Sequence, residues 1–343
     1  WFIAMFQGYQ LGDTLLDLLG NNTYSGGTQI LEGELRGHGE GIQGDFSVAK
    51  DATLTWKDDA ISQFSYIGEI TGEGKFTKDG TRTLRFVEGQ GSVAVDQGIE
   101  ILVGTLYGES TTISGDVTVA QGATLQLYGS TADPDFPGKI SGAGQVEKVG
   151  FNDLQLSGAN SFSGGLLVTS GRILGDSSSL PGSIELDLSS TEVVFDQDED
   201  GVHSGAITGL GRLTKRGINS TLTLAGENSY AGGTSVQEGT LRLDTLSLPD
   251  DVEVSGGATV DFSLGDEQTY SHIVSGAGNF VKSGSGSLSL AAGQEYTGET
   301  QITLGALRLL GDLPSTSNMV VEAGGSLVNS AGALVLGGGL TNR

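Results

Sequence analysis

The sequence contains no cysteine, which excludes disulfide scaffolds, cysteine-ligated zinc, iron–sulfur clusters and thiol catalysis. Only five of its 343 residues are proline, and its glycines follow no three-residue period, so a collagen-like triple helix is excluded. No run of residues approaches the ~20 apolar positions of a membrane-spanning helix. We therefore expect no membrane insertion by this segment.

Positive charge is also scarce. Lysine and arginine number 17 against 42 aspartate and glutamate residues, which gives a formal net charge of −25 at pH 7. A chain with this charge repels phosphate backbones and anionic lipids, so we expect neither nucleic acid nor a membrane surface as a partner. The apolar fraction, 36%, is sufficient for a hydrophobic core but only a thin one.

Glycine, in contrast, is abundant, with 58 residues, or about 17% of the chain against roughly 7% in average proteins. Many lie in a recurring pattern, Ile-Ser-Gly-Ala-Gly or a close variant, whose last glycines are Gly74, Gly144, Gly211 and Gly278. The step between consecutive copies is nearly constant, and this even spacing indicates a repeat architecture. An apolar residue and then a lysine follow each copy: Phe76 and Lys78, Val146 and Lys148, Leu213 and Lys215, Phe280 and Lys282.

A second recurring string lies between these copies. It is clearest at residues 226–241, which read Gly-x-Asn-Ser-Tyr-x-Gly-Gly-Thr-x-Val-x-x-Gly-Thr-Leu. Residues 20–35 match it well, and residues 158–173 match with Leu166 and Arg172 in place of the two threonines. Residues 293–307 lack the asparagine and have Glu299 in place of the second glycine. A shorter element, Val-x-Val-x-x-Gly-Ala-Thr-Leu, occurs at residues 117–125 and 252–260, and more weakly at 320–327.

The apolar residues between glycines alternate with polar ones, as in Leu222 and Leu224, which is typical of strands with one buried face. Leu16 and Leu18 align with these two leucines, so we interpret that segment as a strand and not as a helix. Three strand clusters in each repeat predict three coils of about 22 residues, the architecture of a right-handed parallel β-helix. Successive coils of such a solenoid stack about 4.8 Å apart.

We therefore predict an all-β fold in which residues 1–343 form one continuous single-stranded β-helix. Residues 1–14 are expected to form a partial first coil, and residues 329–343 a frayed or truncated last coil. A set of β-sandwich domains is disfavoured because the repeat step is even and no linker or shift in composition marks a boundary.

The string at residues 226–241 resembles the autotransporter-associated β-strand repeat of type V secreted proteins from Gram-negative bacteria. With the intervening glycine-rich coils, the resemblance covers most of residues 15–328. It implies a passenger domain on the bacterial cell surface, exported through a C-terminal β-barrel translocator that belongs to the full-length protein. The chain begins within a repeat, which indicates a piece of a longer passenger. The resemblance also implies that such repeats assist secretion and serve as a stalk.

The sequence shows no motif typical of an enzyme. It lacks a Gly-x-Ser-x-Gly elbow and a phosphate-binding loop, and its histidines (His38, His203 and His272) are not at metal-ligand spacing from one another. We therefore predict a protein that is not an enzyme and has no cofactor. A β-helix enzyme that acts on polysaccharides through paired carboxylates stays open as an alternative, since 42 acidic residues offer many pairs.

The sharpest local motif is acidic. Residues 196–201 match the first half of a calcium loop, with Asp196, Asp198 and Asp200 at ligand positions one, three and five. The glutamate expected at position twelve is replaced by Ile207, so the sequence predicts at most a weak calcium site at the three aspartates. An acidic corner loop without a metal is the interpretation we favour.

Two loops and one series of aromatic residues are further candidates. The loops at residues 130–138, which contain Phe136, and at residues 58–66 could project from the solenoid and contact a partner. Tucking of Phe136 against the solenoid is at least as well supported. The aromatic residues Tyr24, Phe162, Tyr230 and Tyr296 recur once per repeat, and we predict that they close the coil and do not form a sugar-binding ladder.

These features predict a surface-exposed passenger segment that acts in adhesion or cell–cell aggregation, or a stalk that presents a distal adhesive region. The expected partners are copies of the protein on neighbouring cells, or a glycan or protein of a host or other surface. A purely structural stalk that assists secretion is the second alternative, beside the polysaccharide-acting enzyme.

Overall fold

The computed structural model describes residues 2–4, 15–18, 26–37, 41–58, 63–131, 134–291, 293–311, 313, 318–330 and 339–343. Within these ranges the regular elements are β-strands, and no α-helix occurs. None of the described residues forms a helix long and apolar enough to cross a membrane. The chain divides into two compact units, Trp1–Ile173 and Leu174–Arg343, which are described separately.

Strands of the first unit are short and are separated by glycine-containing corners. In chain order they are Phe2–Ala4, Leu15–Leu18, Thr28–Ile30, Glu34–Gly37, Phe46–Val48, Thr53–Trp56, Gln63–Ser65, Gly68–Gly72, Lys75–Arg85, Gly91–Val95, Ile99–Glu109, Ile113–Ser114, Val117–Val119, Thr124–Tyr128, Asp135–Phe136, Ile140–Gly142, Gln145–Val149, Leu154–Leu156, Ser161–Phe162 and Leu166–Val168. The strand Arg172–Gly175 contains the division between the units.

Strands of the second unit follow the same design. They are Ile184–Leu186, Glu192–Asp196, Gly201–His203, Ile207–Gly209, Arg212–Arg216, Thr221–Leu224, Ser229–Tyr230, Thr234–Val236, Thr240–Leu243, Val252–Val254, Thr259–Ser263, Gln268–Tyr270, Val274–Gly276, Asn279–Ser283, Ser287–Leu290, Glu295–Tyr296, Thr300–Ile302, Gly305–Leu309, Met319–Val321, Gly325–Asn329 and Leu340–Asn342.

The strands pair in parallel with those one turn before or after them, which confirms the prediction of a parallel β-solenoid. In the first unit Leu35 stacks between Leu16 and Leu54, so the leucine-rich segment near the start is a strand, as predicted. In the second unit Leu241 stacks between Leu222 and Val260. Alternate residues point inward, and the inward leucine, isoleucine, valine and phenylalanine side chains form a continuous core in each unit.

The length of one turn varies from corner to corner. It can be followed along two stacks of inward residues, which are Leu16, Leu35, Leu54 and Phe76 in the first unit, and Leu222, Leu241, Val260 and Phe280 in the second. One turn along these stacks takes about 20 residues, at the short end of the range for solenoid repeats. Other turns are longer, for example 24 residues from Phe46 to Ile70, so the predicted length of about 22 residues lies within the observed range. The shorter turns have tight corners, and only residues 231–233 join the strands Ser229–Tyr230 and Thr234–Val236.

One sequence repeat does not equal a whole number of turns, so the position of the repeat shifts around the solenoid. Consecutive copies of the Ile-Ser-Gly motif lie on different stacks of strands. In the first unit Ile70 stacks on Phe46, whereas Ile140 stacks on Val117. In the second unit the same holds for Ile207 and Val274, which stack on Ile184 and Val252. Equivalent residues of successive repeats therefore do not stack directly on one another.

The middle glycine of the Ile-Ser-Gly-Ala-Gly motif is required by the backbone. Gly209 and Gly276 have φ angles of +102° and +98°, which side-chain-bearing residues rarely adopt. A Cβ atom at Gly209 would also overlap the carbonyl oxygen of Leu186 in the preceding turn. This position explains part of the glycine excess, because it recurs once in each repeat.

Both chain ends are described in part. The strand Phe2–Ala4 pairs with Thr28–Ile30, and Leu340–Asn342 pairs with Met319–Val321. Residues 5–14 and 331–338 lie outside the described residues. The partial first coil, the frayed last coil and the single continuous β-helix over residues 1–343 therefore stay predictions.

Candidate functional site

One lysine in each repeat is buried, although lysine is ordinarily among the most exposed residue types. All four side chains are fully buried. In each, the ammonium group donates hydrogen bonds to backbone carbonyls at a corner. They are Lys78, Lys148, Lys215 and Lys282.

Lys282 shows the arrangement. Its Nζ donates to the carbonyls of Ser283 and Gly284 in its own turn, at 2.5 and 2.9 Å, and to the carbonyl of Leu304 in the next turn at 3.2 Å. The lysine therefore links two turns from the inside through backbone carbonyls.

Lys148 makes the corresponding bond to the carbonyl of Ser170 at 2.8 Å. Burial lowers the pKa of the Lys148 ammonium to about 8, and the nearby carboxylate of Asp153 opposes that shift. Burial also lowers the pKa of Lys215 and Lys282. The environment of the recurring lysine is thus the same in kind in both units.

The asparagine of the second recurring string also links turns. Asn228 Oδ1 accepts the backbone N–H of Ile207 at 2.8 Å, and Asn160 Oδ1 accepts that of Ile140 at 2.7 Å. The fourth repeat lacks the asparagine, but Gln294 occupies the place, and its Oε1 accepts the N–H of Val274 at 2.8 Å. The amide thus caps the first residue of the Ile-Ser-Gly motif one turn earlier.

The recurring aromatic residue is part of the core. Tyr230 and Tyr296 are buried, and each hydroxyl lies 2.6 Å from the hydroxyl of the threonine four positions later, Thr234 or Thr300. Phe162 is equally buried and lacks a hydroxyl, and Leu166 correspondingly replaces the threonine. The predicted coil-closing role is confirmed at these three positions, while Tyr24 lies outside the described residues.

Corner aspartates form a further structural set. Asp45 Oδ1 accepts the N–H of Glu69 at 3.0 Å, and Asp116 Oδ1 accepts that of Lys139 at 2.9 Å. In the second unit Asp251 Oδ1 accepts the N–H of Ile273 at 2.8 Å. Each carboxylate therefore caps a backbone donor of the next turn. Some of the acidic residues of the chain thus stabilise the stacking of turns.

The predicted calcium ligands Asp196, Asp198 and Asp200 are all exposed. Asp200 Oδ1 accepts the N–H of Thr221 at 2.7 Å, like the other corner aspartates. Within the described residues these three carboxylates are not among the groups whose ligand atoms converge within 4.8 Å. Between them Gln197 is buried, and its side-chain oxygen accepts the N–H of Ser177 at 2.6 Å. Calcium binding here stays a prediction.

Both candidate loops turn aromatic residues inward. Phe136 is 1% exposed, in a strand that pairs with Leu154–Leu156, so its tucking against the solenoid is confirmed. Tyr66 is fully buried and donates from its hydroxyl to the carbonyl of Gly44 at 2.6 Å. Residues 59–62 and 132–133 of the two loops lie outside the described residues.

The histidines occupy different settings. His203 is 2% exposed with its ring 4.9 Å from that of Phe195, and burial lowers its pKa to about 4. His272 lies at the surface beside Asp250 and Asp251, with Nδ1 3.9 and 3.8 Å from their carboxylate oxygens. His38 lies outside the described residues. Sequence analysis missed the His272 cluster because it considered spacing along the chain, whereas residues one turn apart become neighbours in a solenoid.

The outward face of the first unit bears a row of small side chains. Gln29, Ser47, Thr71, Ala94 and Ser114 stack on one another in five successive turns, and all are exposed. We call these five residues the first-unit ladder. Surface clefts of about 400 and 410 Å³ lie along it, lined also by Asp45 and by Asp96 and Asp116. The row is therefore mostly polar, and acidic residues lie at its margin.

Four segments of the chain match the family model described as the passenger-associated-transport repeat: residues 10–36, 146–174, 208–243 and 280–309. The chain carries four copies of this repeat, which supports the predicted resemblance to autotransporter passengers. Passengers of this class are exposed on the surface of Gram-negative bacteria, and their full-length proteins contain a C-terminal translocator. The last three segments each contain a buried lysine and a capping amide. The matched residues therefore include side chains that form hydrogen bonds between turns.

The chain is similar to the adhesin BmaC autotransporter of Brucella suis biovar 1 (strain 1330). The two sequences are 34% identical over 195 aligned residues, which cover 48% of this chain and 6% of the relative. The segment therefore spans a small fraction of the length of the curated relative that it matches. No solved structure matches the chain.

Proposed function

We propose that this passenger segment is a non-enzymatic interaction surface that mediates adhesion or cell–cell aggregation. The observation that supports this proposal best is the separation of roles between the two sides of the strands. The recurring lysines, amides and tyrosines point inward and close the coil, whereas exposed, mostly polar side chains of the first unit form the first-unit ladder. The similarity to an adhesin autotransporter supports the same assignment.

The proposed mechanism is lateral contact between the first-unit ladders of two copies on neighbouring cells. Side chains such as Ser47, Thr71 and Ser114 are short, so two such faces can approach closely and exchange hydrogen bonds along several turns. The net charge of −25 opposes this contact, since two acidic surfaces repel each other at low ionic strength. Self-association should therefore increase with salt or calcium.

A presenting stalk is the second candidate, because the contacts that join successive turns are numerous and repeat in both units. In that case the ladder is inert and a distal region of the full-length passenger binds the host surface, a glycan or another protein.

A display experiment separates these roles. Residues 1–343 are displayed behind a foreign outer-membrane barrel on a non-aggregating Gram-negative host, and settling of the culture is measured. We expect settling that soluble segment inhibits and that Ser47→Arg abolishes. Ser229→Arg, an exposed serine of the second unit with the same charge change, serves as the control. Absence of settling with confirmed surface display, or equal settling of all three proteins, would contradict the adhesive role of the ladder.

A further inference from the structure

Asp250, Asp251 and His272 form a cluster at a corner of the second unit. One potential ligand atom of each residue lies within 4.8 Å of those of the other two. The imidazole Nδ1 faces both carboxylates, at 3.9 Å from Asp250 Oδ1 and 3.8 Å from Asp251 Oδ1. The two aspartates precede the strand Val252–Val254, and the histidine lies one turn later, before Val274–Gly276.

The aspartates are held in place by the surrounding backbone. Asp250 Oδ1 accepts the N–H of Asp251, and Asp251 Oδ1 accepts the N–H of Ile273, both at 2.8 Å. The hydroxyl of Tyr270 donates to the backbone carbonyl of Asp250 at 2.6 Å. Each carboxylate retains a second oxygen and further lone pairs, so these bonds orient the groups and leave them able to bind a cation.

This corner has two side chains that the equivalent corners of the first unit lack. The corresponding corners of the first unit have glycine before the capping aspartate, as in Gly115-Asp116, and glycine one turn later, at Gly138. The second unit has Asp250 and His272 at those two positions. Capping of the next turn needs only the one aspartate, so capping explains neither the second carboxylate nor the imidazole.

We propose that Asp250, Asp251 and His272 bind a divalent transition metal ion, of which zinc is the representative. Tetrahedral zinc with ligand bonds of about 2.0–2.1 Å separates its ligand atoms by roughly 3.4 Å. The observed separations of 3.8 and 3.9 Å are slightly larger, and side-chain rotation supplies the small contraction required. Imidazole with carboxylates suits zinc, nickel or cobalt, whereas calcium and magnesium prefer oxygen ligands alone.

The remaining coordination positions of the ion face solvent, since His272 and Asp251 are 40% and 61% exposed. The bound ion connects two consecutive turns at the surface, as Lys282 connects turns from inside. Metal binding therefore stabilises this corner of the solenoid. This site is separate from the acidic loop at Asp196, Asp198 and Asp200, and it is independent of the proposed adhesive function.

Calorimetric titration of the untagged chain with zinc chloride at pH 7.5 tests the proposal, with calcium chloride as the comparison. We expect one zinc per chain, and a weakening of zinc binding by more than about tenfold in His272→Asn and in Asp250→Asn. Asp116→Asn removes the carboxylate charge from a corner cap of the first unit, and His38→Asn removes a histidine from elsewhere in the chain. Both should bind zinc as the wild type does.

Thermal unfolding with and without zinc supplies a second measurement. The wild type and Asp116→Asn should gain stability with zinc, and His272→Asn should not. A wild-type chain that binds no zinc would overturn the proposal. Equal binding by the wild type and His272→Asn, or an equal response to calcium and zinc, would also overturn it.

Discussion

Asn228 accepts the backbone N–H of Ile207 from the preceding turn at 2.8 Å, and its own amide donates to the carbonyl of Ser247 in the following turn, also at 2.8 Å. One buried side chain therefore holds three successive turns together. Buried backbone groups need a partner, and here the amide supplies the hydrogen bonds in place of a neighbouring strand. Gln294 repeats the first of these bonds one repeat later.

Replacement of Asn228 by leucine should destabilise the second unit. The substitution leaves the buried N–H of Ile207 and the carbonyl of Ser247 without the amide, which costs about 2 kcal/mol or more. Urea unfolding followed by circular dichroism measures the change as a lower midpoint. Glu227→Ala alters the exposed neighbour and should leave the midpoint unchanged. Equal midpoints for wild type and Asn228→Leu would show that the amide bonds contribute nothing.

Gly209→Ala should also destabilise the protein, because the alanine must adopt a φ of +102° and its Cβ meets the carbonyl of Leu186. We expect a loss of about 1–3 kcal/mol in the free energy of unfolding. Gly265→Ala is the matched control, since a Cβ at that glycine meets no atom within 4 Å. Equal urea midpoints for the two variants would contradict this explanation of the cost at Gly209.

The buried lysine predicts a specific alkaline pH dependence. The pKa of Lys148 is about 8 in the folded state against 10.5 for an ordinary lysine, so between these values the unfolded chain binds more protons. Stability should therefore rise with pH, by roughly 1.5 kcal/mol from pH 8 to 9.5. Above pH 10 the buried tyrosines reverse the trend, because burial raises the pKa of Tyr230 and Tyr296 above that of unfolded tyrosine.

Comparison of wild type with Lys148→Met isolates this contribution, since the other titrating groups are common to both. The difference in unfolding free energy between the two proteins should change with pH from 8 to 9.5. Lys139→Met, which removes one lysine charge at an exposed position, is the matched control. A constant difference for Lys148→Met would mean that the lysine keeps an ordinary pKa in the folded state.

His203 predicts a loss of stability in acid. Burial lowers its pKa to about 4, against 6.5 for an ordinary histidine, so the unfolded chain binds more protons between these values. The stabilisation is complete above pH 6.5 and is lost as pH falls toward 4, by about 2 kcal/mol at pH 5. His203→Phe should remove this part of the acid dependence. Parallel pH profiles for wild type and His203→Phe would contradict the expectation.

Much of the architecture was predictable from particular residues. The alternation at Leu222 and Leu224 predicted strands, and the constant step between glycine motifs predicted a solenoid, because both patterns are local or periodic along the chain. The inward position of Tyr230 and Tyr296 followed from their register with corner glycines. The length of one turn was not predictable to the residue, since it depends on how tightly each corner closes, and small differences accumulate over a repeat.

Several contacts between turns were not predictable from the sequence. The lysine after each Ile-Ser-Gly-Ala-Gly motif was visible as a pattern, but its burial was not, because a lysine in an alternating strand resembles a solvent-facing residue. The sequence at residues 293–307 indicated that the asparagine was lost. The amide of Gln294 nevertheless accepts the equivalent backbone N–H, that of Val274. His272 looked isolated because its partners Asp250 and Asp251 lie about one turn away in the chain.

The sequence alone determined the architecture of this protein, a repeating, glycine-rich, acidic β-solenoid that resembles autotransporter passengers. Periodicity and composition suffice for that conclusion, because each repeat forms the same local structure wherever it occurs. Only the tertiary structure decided which side chains close the coil and which face solvent. The reason is physical, since those neighbours are set by the stacking of one turn on the next, and a small change in turn length brings a different residue to every position.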